Sequence, residues 1–203
     1  MSMLEDSSRG QTSKKREASS SSLLLNISGS LYERVVRASS QMACGQKRSQ
    51  YGRGCINNER DPFRVQRTGL LGEAAFSLWS GLPLDLSYKP KGDKWDFLLH
   101  GLTLDIKCAV RNYDMNLIVQ QETRDGKIHM LKDVYVASYI TYDFPEHWAA
   151  QVRLLGYNVR DEILKVPVTL SSRGVHFNYR LLHKDLRPLN RLKDFINGKE
   201  QVL

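Results

Sequence analysis

Cysteine is scarce in this 203-residue chain, with only Cys44, Cys55 and Cys108. An odd number at irregular spacing argues against a disulfide framework and for a reducing intracellular compartment, cytoplasm or nucleus. Cys44 and Cys55 lack the close pairing of a zinc knuckle. No apolar run approaches the length needed to cross a bilayer, so no membrane partner is expected. The N-terminus is polar, and acidic before it is basic, unlike a secretory leader. Five histidines are scattered at 100, 129, 147, 176 and 183, and none has helical metal-ligand spacing with another. Ser171-Ser172-Arg173-Gly174 reads as a turn, because no glycine-rich pattern or helix follows to make it a phosphate cradle. There is no internal repeat.

What is present is ordinary in amount and uneven in sign. The chain is 41% hydrophobic and 26% charged, as a globular domain should be. Its formal net charge of +8 favours a polyanionic partner, with nucleic acid ahead of an anionic membrane. Residues 1–28 are rich in Ser, Lys and Arg and read as a disordered tail, even with Leu23-Leu24-Leu25 at its end. Lys14-Lys15-Arg16 within it is either a solvated run or a weak nuclear or nucleic-acid-binding signal. A single domain is expected over 29–203.

Ser30-Leu31-Tyr32-Glu33 fits a capping box, and Leu31, Val35 and Ala38 then recur at helical spacing. Residues 45–67 read as a basic loop. Arg48, Arg53, Arg64 and Arg67 in it are candidate contacts to a phosphate backbone, and a plain surface loop is the equal alternative. A second helix is expected from Thr68 to Ser80, with Leu71, Ala74, Ala75 and Leu78 on one face and Gly81 as its stop. Glu73 lies inside this apolar segment. Gly72 weakens the helix and suits close backbone packing.

After Pro83 the period becomes that of strands. Leu84–Tyr88, Trp95–Leu99 and Leu102–Cys108 read as three short strands by alternation and turn signals. Val134–Ile140 reads as a central strand, Gln151–Leu155 as another, Arg160–Leu164 as a short helix, and Leu186–Phe195 as helical or extended. The fold class is α/β, a small mixed sheet of four or five strands flanked by helices.

The chemistry concentrates in one hairpin. A two-residue turn at His100-Gly101 sets Leu99 opposite Leu102, Phe97 opposite Leu104, and Asp96 opposite Asp105. Two carboxylates roughly 5 Å apart at Cβ repel each other and call for a cation. Magnesium is held by one or two carboxylates together with waters and a phosphate oxygen. Strand alternation adds Lys107 to the face of Asp105 and turns Ile106 and Cys108 into the core. Glu73, from a nearby helix, is the candidate to complete the metal shell. Each residue alone has a plainer reading: Asp105 with Lys107 as a surface salt bridge, Glu73 as the solvated edge of its helix. Asp114, Asn116, Gln120 and Gln121 read first as solvated surface, with Gln120 or Gln121 as a second choice for approaching the site. Arg173, His176, Tyr179 and Arg180 are candidates for a basic, aromatic lip.

The sequence of features resembles the PD-(D/E)XK nuclease superfamily. Its acid-bearing helix corresponds to Leu70-Leu71-Gly72-Glu73-Ala74-Ala75-Phe76, its hairpin acid to Lys94-Trp95-Asp96-Phe97, and its terminal motif to Asp105-Ile106-Lys107. Trp95 stands where the family name has proline. The match spans about Thr68 to Tyr139, and Gly156–Leu164 is similar to a segment of phage-type and mobile-element members. The resemblance implies a restriction-endonuclease-like fold and Mg²⁺-dependent DNA cleavage, with Mn²⁺ as a substitute ion. It implies that Glu73, Asp96, Asp105 and the Ile106 carbonyl bind metal while Lys107 assists the attacking water. A homodimer would suit double-strand cutting. The alternatives are a DNA-binding or assembly subunit that has lost the chemistry, or an RNA-processing enzyme with the same site.

Overall fold

The computed structural model describes residues 22–49, 61–88, 95–110, 116–121, 131–170 and 177–198, with backbone alone for 45–49. Two sheets and four helices are built from them. The larger sheet runs in the order β1-β6-β5-β3-β2, from Leu23–Ser28 (β1), Ala149–Val159 (β6), Val134–Phe144 (β5), Leu102–Val110 (β3) and Phe97–Leu99 (β2). Only β3 and β5 pair in parallel, so the sheet is mixed, as expected. The smaller sheet runs β4-β8-β7, from Leu117–Gln120 (β4), Phe177–Leu181 (β8) and Val168–Leu170 (β7). Among the described residues, no helix is long and apolar enough to cross a membrane.

The helices are α1 (Gly29–Ser49), α2 (Pro62–Ser80), α3 (Arg160–Ile163) and α4 (Leu189–Ile196). α1 buries Tyr32, Val35 and Ala38, close to the expected face. α2 begins six residues before the expected Thr68. Asp61 caps it, its Oδ1 accepting from the Phe63 amide at 3.0 Å, and Pro62 supplies the first turn, where a missing N–H costs nothing. Pro62 therefore starts a helix here and does not belong to a loop, and α1 takes the other end of the expected 45–67 loop as far as Ser49. Gly81, at φ 81°, ends α2 with its amide on the Ser77 carbonyl.

Two further expectations change. The presumed tail ends in a strand: Leu23, Leu25 and Ile27 alternate inward and pair with Leu154, Val152 and Ala150 of β6. Leu84–Tyr88 is not a strand. Its Leu84 and Leu86 do pack on the core, but Asp85 accepts the Ser87 amide in a local turn and no ladder forms.

α2 lies over the helix-side face of the larger sheet, where Leu104 and Ile106 meet Leu71, Ala74, Phe76 and Phe97 in the main core. Phe76 and Phe97 rings are 5.0 Å apart. A second core forms on the other face, where Leu117, Val119, Tyr179 and Leu181 of the small sheet cover Tyr135, Ala137 and Leu155. Asp143 ties α1 and α2 to β5, accepting from Tyr32 Oη at 2.6 Å and pairing with Arg67 at 2.7 Å.

One close approach sets how tightly α2 sits on β3. A Cβ added at Gly72 would lie 2.6 Å from Cys108 Cβ and 3.0 Å from Ser138 Oγ. Cys108 Cβ is fixed to the β3 backbone and cannot rotate away, so the helix or the strand has to move. Gly72→Ala is expected to destabilise the protein by about 1–3 kcal/mol through overpacking, although alanine is the better helix former. Urea denaturation followed by circular dichroism checks this; an unchanged midpoint would contradict it.

Candidate active site

The β2–β3 hairpin has the expected register. Phe97 pairs with Leu104, Leu98 with Thr103 and Leu99 with Leu102. His100 at φ 48° and Gly101 at φ 82° both take the left-handed region that a two-residue turn of this hand requires. Alternation along β3 then sends Leu104 and Ile106 into the main core and Asp105 and Lys107 to the opposite face.

The ladder breaks just before Phe97. The Asp96 amide donates to the Leu104 carbonyl at 3.0 Å, while Asp96 Oδ2 accepts the Ile106 amide at 2.6 Å. Asp96 is thus at the expected end of the hairpin, but it sits in a bend and its carboxylate binds the backbone of the Asp105-Ile106-Lys107 strand.

Asp105 and Lys107 form an ion pair in which the Asp105 side chain is only 13% exposed and Lys107 is 45% exposed. Lys107 Nζ meets Asp105 Oδ2, an oxygen buried from solvent. The two side chains open into a cavity of about 290 Å³, which Gln120, Lys132, Tyr135 and Asn178 also line. Gln120 thus reaches the site from β4, the less favoured of its two sequence readings. Lys132 and Asn178 had no such signal. Lys132 precedes β5, and Asn178 comes in only because β8 pairs with β4, Gln120 against Asn178. The Tyr135 hydroxyl accepts the Lys132 amide at 2.9 Å. Burial, aided by the Asp105 charge, pushes its pKa up to about 12, so it stays neutral.

Glu73 lies on α2. It neighbours Cys108, whose thiol burial pushes up to about 12, with the Glu73 charge adding to the rise. Cys108 packs with the main core, on the face of β3 turned away from Asp105 and Lys107. Among the described residues, no three His, Cys, Asp or Glu side chains converge as a metal-binding group.

Of the basic candidates, Arg64 is exposed on α2. Arg67 is committed to the fold: its side chain is 17% exposed, paired with Asp143, and its guanidinium stands 5.2 Å from the centre of the Phe63 ring. Arg180 is exposed on β8, where with the Asn116 amide turned oxygen-inward its Nη2 and Nε donate at 2.8 and 3.0 Å. Tyr179, expected beside it on a lip, is buried in the second core. The Arg48 side chain and all of Arg53, Arg173, His176 and Asp114 lie outside the described residues.

Comparison with known protein families, with curated proteins and with solved structures returns no match to this chain.

The strand carrying Asp105 is anchored at its start by Asp133. Asp133 Oδ2 accepts from the Thr103 amide at 2.8 Å and its hydroxyl at 2.7 Å, and Arg160 pairs with Oδ1 at 3.2 Å. Burial alone would raise the Asp133 pKa. The Thr103 hydrogen bonds and the Arg160 charge outweigh it, and the net shift is below the ordinary 3.8. A carboxyl with a lowered folded-state pKa contributes stability above its unfolded value, and that contribution is lost as pH falls through the folded value. Asp133→Asn is therefore expected to cost about 1–3 kcal/mol at neutral pH. The deficit should shrink once the pH drops below 3.8. Denaturant midpoints of both proteins across pH check this, and a deficit that does not change with pH would refute it.

Proposed function

We propose that this chain is a Mg²⁺-dependent nuclease with a restriction-endonuclease-like core, hydrolysing phosphodiester bonds in DNA. The observation that carries the reading is the largely buried Asp105 carboxylate paired with the Lys107 ammonium at the wall of one polar cavity.

That donor set fits a hard cation. Magnesium needs only one or two protein carboxylates, since waters and substrate phosphate fill its other positions. Asp105 and Asp96, with the Ile106 carbonyl, would hold it. A bound Mg²⁺ would neutralise the phosphate and acidify a water ligand. Glu73 of α2 is the further carboxylate proposed for this metal shell.

The chain's own residues have separable tasks in this reading. Asp96, bonded to the Ile106 amide, holds the strand so that Asp105 and Lys107 keep their spacing. Lys107 orients the attacking water and stabilises charge building on the phosphorane oxygens. The Gln120 and Asn178 amides can donate to non-bridging oxygens, and Lys132 adds positive charge at the mouth. Arg180, paired with Ile118 two residues along β8 from the Asn178–Gln120 pair, sits where a phosphate backbone leaving the cavity would pass.

Asp105→Ala and Lys107→Ala are each expected to lower Mg²⁺-dependent cleavage of labelled DNA by roughly 10²–10³-fold while leaving the protein folded. Full activity in both folded variants would remove the proposal. Labelled RNA digested in parallel identifies the sugar preference, and calorimetry with Mg²⁺ separates an active enzyme from a subunit that only binds DNA.

A further inference from the structure

We propose that the outer face of the β5–β6 hairpin is a stacking platform for unpaired bases, so that the substrate carries a single-stranded segment. The inference rests on the nuclease reading for the place of the scissile phosphate.

The platform belongs to the same sheet face as the cavity. On β5, Tyr135 and Ala137 sit opposite Asp105 and Lys107 of β3 and turn to the same side. Tyr139 follows on that face. The register then shifts between Ile140 and Tyr142: Ile140 pairs with core residue Val152, and Tyr142 pairs with Gln151. Without this bulge Tyr142 and Phe144 would point towards the helices. With it they join Tyr139 on the outer face, and the intervening Asp143 turns inward to meet Tyr32 and Arg67.

Tyr142 and Phe144 are 45% and 40% exposed, with ring centres 5.6 Å apart and planes only 13° from parallel. His147 flanks Phe144 at 6.2 Å. Two exposed, nearly parallel rings stacked on one another leave an outer ring face that a base can cover. The pleat of a strand does not demand that arrangement, and a base can extend the stack. The small sheet covers Tyr135, Ala137 and Leu155 of this face, whereas Asn26, Ser28 and Leu24 on β1 continue it as open surface.

Charge selects the occupant. Arg153 pairs with Tyr139, between the cavity and the rings. Its Nε is buried without a hydrogen bond among the described residues, while Nη1 donates to Ser22 Oγ at 3.2 Å. A cation set between an acidic metal-type cavity and an aromatic stack matches a strand whose phosphates run past Arg153 and whose bases lie on the rings. From Ala137 to Tyr142 the strand advances roughly 15 Å, a span of a few nucleotides. A duplex keeps its bases stacked on each other and has no use for the rings.

The test is binding by the full chain in EDTA, so that no cleavage occurs, measured by anisotropy of fluorescein-labelled oligothymidine and of a duplex of equal length. Wild type should bind the single strand more tightly. Tyr142→Ala and Phe144→Ala should each weaken single-strand binding by about tenfold or more and leave duplex binding nearly unchanged. Phe144→Trp, which restores a large ring, should retain wild-type affinity. Single-strand affinity that survives Phe144→Ala, equal losses in Phe144→Ala and Phe144→Trp, or equal losses on duplex would overturn the inference. A chain that binds as expected yet cuts nothing overturns the nuclease reading alone. Cleavage together with undiminished single-strand affinity in Phe144→Ala overturns the platform alone.

Discussion

The bend at His100 and Gly101 determines the parity of β3, and nearly everything about the site follows from parity. Side chains on a strand alternate, so a slip of one residue would exchange the two faces. Asp105 and Lys107 would then enter the core against α2, and Leu104 and Ile106 would face the polar cavity. Unpaired charge in an apolar core costs several kcal/mol. The register is also held at both ends of the hairpin's long strand. Asp133 grips Thr103 at its start, and Gly72 lets α2 press on Cys108 near its end.

The second sheet converts a polar strand face into a cavity. Its inward-facing Leu117, Val119, Tyr179 and Leu181 bury against Tyr135, Ala137 and Leu155, and the polar Gln120 and Asn178 are left at the rim beside Asp105. Burial stabilises the sandwich and also removes water around the carboxylate, which strengthens the pull of the neighbouring ammonium. The cover stops short of the β5–β6 turn, where Tyr142, Phe144 and Trp148 remain exposed.

The hairpin was legible because its information is local: two apolar pairs, a turn at His100-Gly101 and an i, i+2 spacing decide it. Where the governing contact is distant, the reading failed for that reason. Leu23–Ser28 becomes a strand only when β6, more than a hundred residues away, supplies its ladder. β4 and β7 have four and three residues, too few for a period to emerge, and they exist through β8. Arg67 looked like one member of a basic run, but Asp143 balances it inside the fold. Asp96 stands at the expected end of the hairpin, while the bend that turns its carboxylate onto the Ile106 amide is a departure from the ladder that alternation does not encode.

The ion pair of Asp105 and Lys107 weighs between the two sequence readings of these residues. A surface salt bridge joins two solvated groups and contributes little. Here the carboxylate is almost wholly withdrawn from water while its ammonium partner remains nearly half exposed. Desolvating one ion for an incompletely enclosed partner favours stability less than an apolar side chain at the same place would. Tyr135 and Val136 on the neighbouring strand show that the sheet readily buries larger, uncharged groups at this level. A strand that keeps an acid and an amine two residues apart, dry on one side and open to a cavity on the other, is what the proposed nuclease reading requires, with ligand charge completing the electrostatics.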